Sequence, residues 1–134
     1  MENNYKIILK SSKGNEISEY INLGTVLEEY GEKVVKYTNY EGDISYDTKI
    51  VIGSDIISVI NSGNIESVMN FEKGRTYSSV IKTEFGNIPL EIKSKQILKD
   101  IRESSLYIMI EYEAFYSENP ELFKIELRAD RIIQ

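Results

Sequence analysis

Glu111 and Glu113 stand two residues apart in a segment of strand character, which puts their carboxylates on one face at roughly 7 Å. Glycosidases hold paired carboxylates near that separation. The alternate positions Ile108, Ile110 and Tyr112 read as the buried face, so both glutamates are expected to face water. The acidic run Glu41-Gly42-Asp43-Ile44-Ser45-Tyr46-Asp47 spaces oxygen side chains at every second position, as a calcium loop does. Tyr46 and Ile52 occupy the places where such a loop needs Gly and Glu, and the run reads as a solvated turn between strands. Lys93, Lys95, Lys99 and Arg102 form a basic cluster, but no aromatic residue lies between Phe85 and Tyr107 to stack a base. A charged strand edge that discourages edge-to-edge pairing explains it better.

The chain holds no Cys, His or Trp, which removes thiol and imidazole catalysis, disulfides, the usual zinc sites and axial haem ligation by His or Cys. Neither a glycine-rich phosphate loop nor a G-x-S-x-G elbow occurs. This reading assigns no catalytic residue, no metal ligand and no cofactor. An enzyme built on this chain would have to work with Glu, Lys, Arg or Tyr. The ten tyrosines are spread over most of the length, as in a sheet filled with aromatics; exposed ones would suit a ligand site or an interface.

Strands must carry these groups. The 134 residues suit one domain, 1–134, with a single core. Counts of 21 Ile, 7 Val and 10 Tyr against 2 Ala favour pleated surfaces over helix. Alternation of period two recurs along the chain. Tyr5, Ile7 and Leu9 share one face, as do Ile21, Leu23, Thr25 and Leu27, and then Tyr46, Thr48, Ile50 and Ile52. Turns are expected at Gly31-Glu32, Gly53-Ser54, Gly63-Asn64, Gly74 and Gly86, separating segments 34–41, 55–61, 65–72 and 75–83. Ile88, Leu90 and Ile92 begin a strand that extends towards Leu98, and Leu106 to Tyr112 and Phe123 to Ala129 alternate most clearly. About ten strands with a turn every ten residues or so describe a meandering antiparallel sheet, closed as a barrel or folded as a sandwich. Over Ile17 to Tyr30 a helix competes, with Ile17, Tyr20, Ile21 and Gly24 at helical spacing; Gly24-Thr25-Val26 weakens its middle.

The net charge of -6 repels polyanions, so the partners expected exclude nucleic acid and anionic membrane surfaces. Near the amino terminus the apolar run Ile7-Ile8-Leu9 is too short for a signal peptide or anchor, and a cytoplasmic location is expected by default.

From Gly63 the chain reads Met69-x-Phe71, Gly74, Tyr77, Thr83 and Phe85-Gly86, preceded by Gly31-x-Lys33, Tyr40-Glu41 and Thr48 and followed by Tyr112. In order and spacing, from Lys6 to Arg128, this resembles the YwiB-like family, small bacterial proteins of unknown function. The resemblance implies an all-β, antiparallel up-and-down barrel of calycin or lipocalin-like type with about 8–10 strands. Two departures stand out: Asn61 where the family often has Arg, and Thr83-Glu84-Phe85-Gly86 where it often has Thr-Pro-Tyr-Gly. Related barrels often hold an apolar ligand inside. The expected site is therefore the barrel interior, with Met69 and Phe71 as apolar wall, Tyr40, Thr48, Asn61, Tyr77 and Thr83 as polar anchors, and Arg75 at the mouth. The alternative is a filled barrel acting as a protein–protein interaction module, a homodimer joined through exposed tyrosine-bearing strands.

Overall fold

The computed structural model describes residues 4–116 and 119–132. Residues 1–3, the start of the chain weighed above for a signal peptide, lie outside them. Among the described residues ten strands follow one another: β1 (Tyr5–Lys13), β2 (Glu16–Glu29), β3 (Glu32–Glu41), β4 (Ile44–Ile52), β5 (Ile57–Gly63), β6 (Ser67–Phe71), β7 (Thr76–Thr83), β8 (Gly86–Ile101), β9 (Ser105–Phe115) and β10 (Glu121–Arg131). The region 17–30 is strand and turn. Gly24, Thr25 and Val26 are poor helix residues, and β2 finds a partner on each side, β1 over residues 16–24 and β3 over residues 24–29.

Sheet order is β6-β5-β4-β3-β2-β1-β10-β9-β8-β7, antiparallel throughout. Chain neighbours are thus sheet neighbours, and the first and last strands pair from Tyr5 with Arg131 to Lys13 with Phe123. That pairing curls the meander until its edges, β6 and β7, meet. They touch through one backbone bridge between Glu66 and Lys82. The fold is an up-and-down β-barrel whose two sheet edges meet along this seam. Several elements differ from the alternation limits: β5 lies at Ile57–Gly63 where 55–61 is expected, β6 is shorter than the expected 65–72, and β8 runs on to Ile101 past a bulge between Ser94 and Gln96.

Inward positions follow the two-residue period of a pleated strand. Ile7, Tyr37, Ile50, Ile57, Ile92, Ile108, Ile110 and Leu127 form one contiguous buried cluster. Both alanines of the chain, Ala114 and Ala129, are fully buried there, where larger side chains would crowd. Phe71 meets Tyr112 edge-on at 5.1 Å between ring centres, and Tyr112 stacks on Phe123 at 5.4 Å, so aromatic rings from β6, β9 and β10 cross the interior. At one end the Lys99 ammonium donates to the carbonyls of Gly53 and Ser54, tying β8 to the β4–β5 turn. Among the described residues no helix is long and apolar enough to cross a membrane.

Candidate functional site

The wall of the barrel opens where β2 and β3 part. A glycine inside a strand often marks close backbone approach. Gly24 does so here: a Cβ at this position would run into Ile7 Cδ1 and the Lys36 carbonyl. Beyond it, residues 16–23 of β2 keep only β1 as a partner, while residues 38–41 of β3 keep only β4. Two unpaired strand edges therefore face each other across a wedge.

A cleft of about 630 Å³ lies at this wedge, with Ile21 and Leu23 on one bank, Tyr40 and Ile60 on the other, and Lys36, Thr38, Asp47, Thr48 and Lys49 between. Its charges are partly internally matched. Glu29 lies 3.3 Å from Lys36 and 3.7 Å from Lys49, and the Lys36 ammonium foremost holds the Glu29 carboxyl below its usual acidity range. The Thr38 hydroxyl donates to Asp47 at 2.7 Å. A smaller cleft of about 140 Å³, between residues 20–22 and 39–41, continues along the wedge.

Inside the wall a directional chain of hydrogen bonds crosses four strands. Asn39 Nδ2 donates to Thr48 Oγ1 at 2.7 Å, Thr48 donates to Asn61 Oδ1 at 2.7 Å, and Asn61 Nδ2 donates to Ser67 Oγ at 3.0 Å. Tyr37, buried beside Thr48, has its hydroxyl pushed up to about 12 by burial, with Thr48 opposing. The chain runs from the wedge, which Thr48 lines, to the β6–β7 seam, where Asn61 and Ser67 line a second cleft of about 560 Å³ with Ser78, Ser79 and Val80. There Ser79 donates to the Val68 carbonyl at 2.7 Å, a side-chain tie where a closed sheet would have a backbone ladder.

The expected interior residues fall into several places. Tyr40 is a correction: it is 78% exposed on the outer face, because Tyr37 and Asn39 take the inward positions of β3 and the chain then turns away. Thr48 is buried and joins Tyr40 at the wedge, one from the inner and one from the outer side of the wall. Asn61 is hydrogen-bonded to Thr48 and opens on the seam. Met69 packs against the core and Phe71 is fully buried within it. Tyr77 donates to Glu72 at 2.6 Å, and Arg75, largely exposed, approaches the same carboxylate at 4.0 Å. Thr83 belongs to the β7–β8 turn, where its hydroxyl donates to the Gly86 carbonyl and accepts from the Phe85 amide.

Glu111 and Glu113 occupy the outward positions of β9, and Glu113 pairs with Lys95 at 2.8 Å. Lys95 and Lys99 lie in the part of β8 that β7 no longer covers, since that ladder ends at Lys93. Sequence reasoning missed Ile21, Leu23, Lys36, Lys49 and Ile60 as cleft residues. Gly24 in a strand of otherwise bulky residues was the available signal.

The sequence matches the model of a family described as Domain of unknown function (DUF1934) over residues 4–127. No curated protein matches it. The fold is similar to that of the crystal structure of the ywiB protein from Bacillus subtilis, with a TM-score of 0.88 at 19% sequence identity over 98% of this chain and 93% of that one. The YwiB-like resemblance read from the order of Gly63, Phe71, Tyr77 and Phe85-Gly86 thus holds along the whole barrel. With a family model spanning almost its entire length, the chain belongs to the DUF1934 family, whose function is unknown.

Proposed function

We propose that the protein is a binding module that takes a small, largely apolar ligand in the cleft between β2 and β3. The observation that carries this reading is the opening of the wall past Gly24. It leaves Ile21, Leu23, Ile60 and the Tyr40 ring lining a space of about 630 Å³, the size of a small-molecule site. The apolar banks hold the body of the ligand. Lys36, Lys49 and Thr38 supply hydrogen bonds to a polar end, and the backbone groups of the two unpaired edges add more. The ligand reading keeps Tyr40 and Thr48 and moves from the interior to the wall; the packing of the Phe71, Tyr112 and Phe123 rings against one another inside supports that move.

Native mass spectrometry of protein purified gently from its host tests the proposal, with a Leu23→Glu variant alongside. The expected result is an extra mass that is lost on denaturation and absent from the variant. A bare polypeptide mass for the parent, or an extra mass that the variant retains, overturns it.

A further inference from the structure

The β7–β8 hairpin projects beyond the rest of the barrel. From Ser79 to Leu90 its two strands pair with each other, but the β8–β9 ladder begins only at Glu91, and on the other side, among the described residues, the hydrogen-bonded ties are the Glu66–Lys82 bridge and the Ser79 hydroxyl bond to the Val68 carbonyl. A free two-stranded hairpin is marginal in water. This one nevertheless carries exposed Val80 and Ile88, and at its tip Phe85 is 88% exposed. The tip is a built feature. Thr83 accepts from the Phe85 amide at 3.2 Å and donates to the Gly86 carbonyl at 2.9 Å, while Gly86 takes a φ of 132° that other residues avoid. A turn fixed in this way holds an aromatic ring out in water, at a cost that burial against a partner would offset.

We infer that this hairpin is a docking arm, and that its partner is a second copy of the chain, whose β2–β3 cleft receives Phe85. The cleft offers the ring an apolar wall of Ile21, Leu23 and Ile60. Charge also matches between arm and cleft. Glu84, beside Phe85, meets a cleft where Lys36 and Lys49 share the single carboxylate of Glu29 and so keep one net positive charge, and Lys82, on the same arm, meets a cleft that carries Asp47. Each copy has one arm and one cleft, and in the inferred arrangement they are placed reciprocally about a two-fold axis, so that both arms are seated and the assembly closes as a dimer. The inference does not rest on the ligand proposal. Both occupants use the same wall and exclude each other, so a bound ligand would release the dimer.

Sedimentation of the ligand-free protein over a wide concentration range, with three variants, tests it. The parent is expected to dimerise. Phe85→Ser removes the exposed ring without touching the core and is expected to weaken the dimer by at least about tenfold. Glu84→Lys is expected to weaken it as well, and Glu84→Lys combined with Lys49→Glu to recover most of the loss, as reversal of a facing charge pair requires. A parent that stays monomeric at every concentration overturns the inference. So does a dimer indifferent to Phe85→Ser, a charge reversal that brings no recovery, or an assembly that grows past two copies. Failure here leaves the extra mass in native spectra untouched, so the two proposals fail separately.

Discussion

Replacing Thr48 by Val and Ser94 by Ala removes one buried hydroxyl in each case, yet the structure predicts opposite signs. Thr48 is the middle of the interior chain: it accepts from Asn39 and donates to Asn61. Valine keeps its volume and its fit to the strand but breaks both bonds. Asn39 Nδ2 retains a longer bond to the Tyr46 carbonyl at 3.3 Å, whereas Asn61 Oδ1 loses its Thr48 donor. At about 1 kcal/mol for each bond lost inside the protein, Thr48→Val costs about 2 kcal/mol. Ser94 is 1% exposed and its hydroxyl has no protein partner. Alanine there relieves the burial of an unpaired hydroxyl, about 1 kcal/mol at the low end of the range, and leaves only a small void. For 134 residues at about 2.1 cal/mol/K each, the melting entropy is about 0.28 kcal/mol/K. Thr48→Val should therefore lower Tm by about 7 °C and Ser94→Ala raise it by about 4 °C. Calorimetry with urea titration as a second probe measures both. A Thr48→Val protein as stable as the parent would refute the chain of hydrogen bonds as a stabilising network, and a destabilised Ser94→Ala would show that the hydroxyl is satisfied by water.

Gly24→Ala should destabilise by about 1–3 kcal/mol, since the new methyl must displace Ile7 and the β3 backbone; an unchanged urea midpoint would mean that the wedge is not pinned by this contact. Tyr30, fully exposed in the β2–β3 turn, has a φ of 51°, so Tyr30→Asn should stabilise by roughly 1 kcal/mol by relieving a left-handed conformation that Asn tolerates, and a loss of stability in the same titration would contradict this. Burial raises the hydroxyls of Tyr37, to about 12, and of Tyr112. Above pH 10 the unfolded chain releases these protons and the folded one keeps them, so stability falls as pH rises from about 10, by about 1.4 kcal/mol per pH unit for each tyrosine. Replacing both by Phe should move the alkaline unfolding midpoint upwards, and an unmoved midpoint would show that the two hydroxyls do not drive alkaline unfolding.

Alternation made most of the barrel legible because most strands have one buried face: Tyr5, Ile7 and Leu9, or Leu106 to Tyr112, state their own inward positions through residue type alone, whereas in β2 the alternating Ile21 and Leu23 lie exposed, since that stretch runs past its β3 partner. The same logic put Glu111 and Glu113 in water and kept the acidic run at Gly42-Asp43 a turn. The resemblance, not alternation, put Tyr40 inside, and it failed there because the strand end leaves the barrel and side-chain type carries no sign of it. It also failed to divide the expected interior set. Met69 and Phe71 alternate on β6 as wall residues would, but whether a wall faces a ligand or another ring depends on Tyr112 and Phe123, which arrive from forty and fifty residues away.

Strand content, turn positions and the absence of imidazole and thiol chemistry are thus local properties, decided by the order of residues along the chain. The wedge, the seam and the projecting hairpin are not. They arise where a strand runs past the end of its partner, and that depends on register between segments distant in sequence: β2 against β1 and β3, β8 against β9, β6 against β7. Register is a property of pairs. Only the closed barrel, with β1 laddered to β10, determines which edges are left without a neighbour and which side chains meet there.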